Sequence, residues 1–148
     1  MKLSTKARYG SRAMLELALN YERGPVSVKH IALHQRISSK YLEHLIASLK
    51  AAGLVKSVRG ARGGYILARP PEKIKLSEVF EVLEGSATPV ECVDSPESCF
   101  MKDICATRDI WVQIGETMME ILEHTTLQDL AERRRQKRAS PKSVMYYI

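Results

Sequence analysis

Cys92, Cys99 and Cys105 fall within 14 positions of one another, spaced C-x6-C-x5-C. Thiolates are soft ligands, and three on one segment can hold an iron–sulfur cluster or a zinc ion. The spacing is wider than the paired cysteines of zinc ribbons and ferredoxins, so three free thiols in a flexible segment are the competing reading. No histidine lies between Cys92 and Cys105. His30, His34 and His124 have no cluster of partners in the sequence, and no chemistry is assigned to them. A thiol enzyme would need a base beside its nucleophile, and none is near.

A second set of residues suits a polyanion. Ser39, Lys40, Glu43 and His44 lie on the polar side of a segment that carries Leu42, Leu45, Ile46 and Leu49 at i, i+3, i+4 and i+7. Serine and lysine bond phosphates or base edges, glutamate accepts from a cytosine amino group, and histidine serves either edge. An ordinary solvated helix face is the alternative. Arg59 and Arg62 sit in the run Arg59-Gly60-Ala61-Arg62-Gly63-Gly64. Glycines allow close backbone approach, and arginines favour the negative potential of a narrow minor groove. The run lacks the Lys-Ser/Thr ending of a phosphate-binding loop, which excludes a nucleotide site of that kind. Lys6, Arg8 and Arg12 are further candidates for phosphate contact, with a solvated face as the alternative.

These residues need a scaffold, and the periodicities predict one. Thr5 to Tyr21 reads as a helix with Met14, Leu17, Ala18 and Tyr21 on one side, stopped by Gly24-Pro25. Ser27 can cap a short helix over 28–35 that buries Val28, Ile31 and Ala32. A tight turn at Arg36-Ile37-Ser38 leads to the helix over 39–52, ended by Gly53. Strands over 54–58 and 65–68 flank the glycine-rich run. Two short helices, a tight turn and a β-hairpin make a winged helix-turn-helix. Beyond Pro70-Pro71 follow a small helix over 76–84, a long loop over 86–103 without periodicity, a long helix over 106–124, and a last helix over 127–137 capped by Thr125 or Thr126. The fold class is therefore mostly α with one small β-hairpin: a head over 1–71, then a cysteine loop and dimerisation helices over 72–148. Ile110, Trp111, Ile114, Met118, Ile121 and Leu122 form a stripe that suits a homodimer interface or an internal core. Arg133-Arg134-Arg135 with Lys137-Arg138 reads as a solvated helix end.

Charge divides along the same line. Residues 1–70 hold 13 Lys and Arg against 3 Asp and Glu, whereas residues 71–148 hold 10 against 14. That asymmetry is expected where one half meets nucleic acid, and a basic solvated surface is the plainer alternative. No signal peptide and no apolar run of about 20 residues is present. The cysteines are too few and too clustered for a secreted disulfide framework, so a cytoplasmic protein is expected.

The stretches MKLSTKARYG (1–10), SSKYLEHLI (38–46), GLVKSVRGARGGY (53–65) and TTLQDLA (125–131) resemble the Rrf-type winged-helix transcription regulators. This family includes iron–sulfur cluster regulators, nitric-oxide sensors and cysteine-metabolism repressors. The resemblance implies a homodimer on the long helix, with two recognition helices reading a palindromic double-stranded DNA site. It places Glu43 where base preference is set and Arg59 where the wing enters the minor groove. It also makes Cys92, Cys99 and Cys105 look like ligands of a 2Fe–2S cluster, with a nitric-oxide-responsive 4Fe–4S cluster as the alternative. The repressor branch lacks such a loop, yet the ending SVMYYI looks more like that branch, which senses through a partner protein. The cluster regulators' histidine, three residues after the last cysteine, is here Arg108, and the nitric-oxide sensors' N-terminal aspartate is Arg8. A guanidinium cannot ligate. The candidate fourth ligands are Asp94, Asp103, Asp109, Glu43 or an exogenous thiol.

Overall fold

The computed structural model describes residues 2–86 and 88–140, so the ending SVMYYI lies outside the described residues. Helix α1 spans Thr5–Leu19, α2 Val28–Gln35 and α3 Ser39–Ala51. Each begins on a serine whose hydroxyl accepts from a backbone N–H of the first turn: Ser4 from Ala7, Ser27 from His30, and Ser38 from Tyr41. Such caps satisfy donors that a helix start leaves unpaired. Between α2 and α3 the chain turns through Arg36, held at φ 53°. Helix α1 stops at Leu19, two residues before the expected end, because Asn20 closes it; Tyr21 is left exposed rather than buried.

Strands β1 (Val55–Val58) and β2 (Gly64–Leu67) pair antiparallel, with Val55 opposite Leu67 and Val58 opposite Gly64. The hairpin is anchored to the start of α2 by a bridge between Val26 and Tyr65, with N–H···O distances of 2.9 and 2.8 Å. Gly64 makes that bridge possible. A Cβ there would lie 2.5 Å from the Val26 carbonyl oxygen and 2.9 Å from the Ser27 nitrogen, both backbone atoms with little room to yield. Gly64→Ala is therefore expected to cost about 1–3 kcal/mol of stability and to displace the wing, read by urea unfolding.

Helix α4 spans Leu76–Glu84 and α5 is a single turn, Glu91–Asp94. Helices α6 (Ala106–Glu123) and α7 (Leu127–Ala139) are the last elements among the described residues. The stretch 86–103, expected as one irregular loop, instead contains α5 and a 3-10 turn at Pro96–Ser98. It is also anchored: α5 packs on α6, and the Arg108 Nε–H donates to the Cys92 carbonyl at 3.2 Å. Four-residue turns leave too little periodicity to be seen in sequence.

The core joins both ends of the chain. Met14, Leu17, Ile31, Leu42, Ile46 and Leu49 from the first three helices pack with Val79 and Leu83 of α4 and with Leu127 and Ala131 of α7. Backbone bonds reinforce this, with Leu76 N–H to Thr125 O at 2.8 Å and Leu127 N–H to Ile74 O at 3.0 Å. Thr126 and Asp129 form a capping box at the start of α7. Their hydrogen bonds hold the Asp129 carboxyl below the usual carboxylate range.

Candidate nucleic-acid interface and thiol segment

Helix α3 has two different sides. Leu42, Leu45, Ile46 and Leu49 are buried, which turns Ser39, Lys40, Glu43 and His44 outward, and all four are exposed. Arg59 and Arg62 are exposed on the turn between β1 and β2, where Gly60 takes a φ of 119°. Among the described residues, no ion pair engages Lys40, Glu43, Arg59 or Arg62. Their charged groups are free for an external partner. Arg12 is also exposed, but its guanidinium is engaged within the chain, donating to the Gln35 side-chain oxygen at 2.8 Å and to the Gln35 carbonyl at 2.6 Å.

The three thiols lie on one segment without converging. Cys92, Cys99 and Cys105 are free and half-buried, and their sulfurs do not all approach within 4.8 Å of one another. Cys92 belongs to α5, Cys99 follows the 3-10 turn, and Cys105 is the residue before α6. The Thr107 hydroxyl, 3.2 Å from Cys105 Sγ, and the Arg108 backbone N–H hold this thiol below its ordinary value. A lowered pKa favours the thiolate that metals and electrophiles require. Among the candidate carboxylates, Asp94 is held below the usual range by hydrogen bonds from Thr88 and Ser86, while Asp103 and Asp109 are exposed. Three thiols fit a soft metal or cluster as a donor set, and Arg108, tied to the Cys92 carbonyl, leaves the fourth position to another group.

The lowered Cys105 value gives a direct test. In metal-free protein its alkylation by iodoacetamide should reach half its maximal rate below the pH typical of a free cysteine, about 8.5. Thr107→Val should move that midpoint upward. An unmoved midpoint, read by mass spectrometry of the Cys105 peptide, would contradict the hydrogen-bond assignment.

One constellation was not expected from the sequence. His30 and His34 are not isolated: with Glu16 they form the one group of three metal-capable side chains among the described residues. The signal available was two histidines at i and i+4 on α2, which share a face. Their third member, a buried glutamate of α1, could not be assigned without knowing how the two helices cross.

Helix α6 carries an apolar face that the described residues leave partly exposed. Ile110, Trp111 and Ile121 are 53%, 38% and 62% exposed, although Leu122 and Gly115 are buried. Ile114, Met118 and Ile121 line a shallow groove along the same helix. No helix among the described residues is long and apolar enough to cross a membrane.

Two helices joined by a tight turn, with an outward polar face on the second and a basic wing behind it, make the winged helix-turn-helix of DNA-binding transcription regulators. The chain belongs to the Rrf2 family, whose pattern, described as an iron-dependent transcriptional regulator, matches residues 3–133. It is similar to the HTH-type transcriptional regulator CymR of Bacillus subtilis (strain 168), at 45% identity over 131 residues, 88% of this chain and 90% of that one. The solved structure of CymR, titled the global cysteine regulator of B. subtilis, matches with a TM-score of 0.77 at 44% identity, covering 90% of this chain and 98% of that one. The structure of T. potens IscR matches with a TM-score of 0.80 at 42% identity, covering 99% and 97%. The relatives are transcription regulators, and the chain is a regulator rather than an enzyme.

Proposed function

We propose that this chain is a cytoplasmic homodimeric regulator that reads a palindromic double-stranded DNA site and senses iron–sulfur status through Cys92, Cys99 and Cys105. The observation that carries the DNA reading is the pairing of the exposed face of α3 with the arginine-bearing wing on a strongly basic half of the chain. Ser39, Lys40, Glu43 and His44 enter the major groove, and Arg59 and Arg62 follow the adjoining minor groove. Residues 1–71 form the DNA-binding head, and residues 72–148 complete its core and supply the interface between subunits. The partner for the uncovered face of α6 is a second copy of the chain, because paired recognition helices must be held at the spacing of two half-sites.

The three thiolates hold a 2Fe–2S cluster, with a 4Fe–4S cluster as the alternative. When bound there, the cluster would supply a redox- and iron-sensitive group for which the three thiolates are the ligands. The protein's part is mechanical: α5 rests on α6, so fixing Cys92 against Cys105 stiffens the connection between the head and the dimer helix. Ligation then shifts the choice of DNA only by its differential affinity for the arrangements involved. The similarity to CymR favours a second reading, a repressor of cysteine metabolism that acts through a partner protein and carries no cluster. Protein purified without oxygen separates the two: the cluster form is brown and contains iron and sulfide, the other is colourless.

The DNA reading is tested by substitution and salt. Affinity should fall steeply as salt rises, because each neutralised phosphate releases counterions. Arg59→Ala should weaken binding most at sites with a narrow minor groove. Glu43→Ala should relax base preference by about 1–3 kcal/mol per discriminated pair. Unchanged affinity and sequence choice in both variants would show that neither the helix nor the wing meets DNA.

A further inference from the structure

Helices α1 and α2 cross at an unusual polar spot. Glu16 of α1 faces residues of α2 and is only 6% exposed. Burying a carboxylate is costly unless it is hydrogen-bonded or coordinates a cation. Its Oε2 accepts from Gln35 Nε2 at 2.8 Å, and Gln35 is itself fixed by two hydrogen bonds from Arg12. The other oxygen, Oε1, faces two imidazoles: His34 Nδ1 at 3.3 Å and His30 Nε2 at 3.8 Å. The two rings lie with centroids 4.0 Å apart and are tilted by 40°. All three ligand atoms fall within 4.8 Å of one another.

We propose that Glu16, His30 and His34 form a binding site for a divalent transition-metal ion of the zinc class, separate from the cysteine segment. Two imidazoles and one carboxylate are a donor set that zinc accepts in four-coordinate geometry, leaving one position for water. Zinc–ligand bonds of about 2.0–2.1 Å put tetrahedral donors roughly 3.4 Å apart, so small rotamer changes at the two exposed histidines bring the set to bonding distance. The carboxylate needs no such change, because the Gln35–Arg12 network already orients it, as outer-shell partners do in metal sites. His30 also borders a groove formed with Ala61, Arg62 and Gly63 of the wing turn, so the site is open to solvent on that side.

A metal here would clamp α2 to α1. Helix α2 runs directly through Gln35 and Arg36 into the recognition helix, so the clamp stiffens the seat of α3 from a site that no thiol contributes to.

The test uses the full chain with Cys92, Cys99 and Cys105 replaced by serine, so that thiols cannot take up the probe. Zinc alone is titrated calorimetrically into this protein and into the same protein carrying His34→Gln or His30→Gln. The expected result is one zinc per chain, with affinity reduced about tenfold or more by either histidine substitution. Zinc should also raise the melting temperature in a concentration-dependent way, and that rise should vanish in His34→Gln. The histidines are exposed, so the variants keep the fold, which far-UV circular dichroism monitors. Absence of zinc uptake, or uptake unaffected by both histidine substitutions, overturns the proposal. Loss of stability in His34→Gln without any zinc effect on the parent does so equally, because the group is then only an internal polar network.

Discussion

A chain carrying both Trp111→Asp and Ile121→Asp should sediment as a monomer at micromolar concentration, where the parent is expected to sediment as a dimer. The two side chains are large, apolar and exposed on α6, and neither helps to fill the core of its own chain. Aspartate at these positions leaves the monomer fold intact but places unpaired charges in any interface built on that face. The melting temperature and helical content should therefore change little. DNA affinity should change greatly, because in the proposed reading a palindrome is held by two linked heads. Losing the linkage removes the effective concentration of the second head, a factor of about 10²–10⁴ in apparent affinity. Retained binding to an isolated half-site at high protein concentration would show that the head itself is undamaged. A double variant that still dimerises would move the interface elsewhere.

Single substitution of Cys92, Cys99 or Cys105 by alanine should remove the visible absorption of protein purified without oxygen, along with its iron and sulfide. The three sulfurs are spread over α5, the residue after a 3-10 turn, and the residue before α6. They must be drawn together on ligation, so losing one ligand loses the constraint on the whole segment. The fold should survive, since none of the three residues is part of the buried core. Loaded and metal-free protein should differ in which DNA they prefer. If the parent itself holds no iron or sulfide after anaerobic reconstitution, the reading as a cysteine-metabolism repressor replaces this one. If it does hold them but binds the same DNA sites equally well in both forms, the thiols have a role other than sensing.

Much of the head was legible because local signals agreed there. Ser27 and Ser38 sit where caps are needed, the leucines of α3 repeat with helical spacing, and Gly53, Gly60 and Gly64 mark the bends of the hairpin. The polar face of α3 followed by elimination once its apolar face was known. The segment 86–103 was harder, since α5 is one turn long and owes its place to packing on α6 rather than to its own pattern. Glu16 was illegible for a related reason. A glutamate on an amphipathic helix ordinarily reads as solvated, and only the crossing of α1 and α2 turns it into the crowded space beside His30, His34 and Gln35. Arg12, a candidate phosphate contact by charge, stays exposed while its guanidinium donates to Gln35. Tertiary geometry reassigned Glu16, whose type alone suggested the surface.

Helix α7 packs two fully buried residues, Leu127 and Ala131, against the first three helices, and Thr126 at its start bridges to Lys75, the residue before α4. During synthesis the ribosome therefore releases the helix-turn-helix and wing long before the residues that finish their core. The first three helices therefore cannot settle against their full core until α7 has emerged. At elongation rates of about 5–20 residues per second, that interval lasts seconds. A product terminated before α7 would lack part of its hydrophobic interior and would be poorly placed to occupy promoters in competition with a chain that carries it.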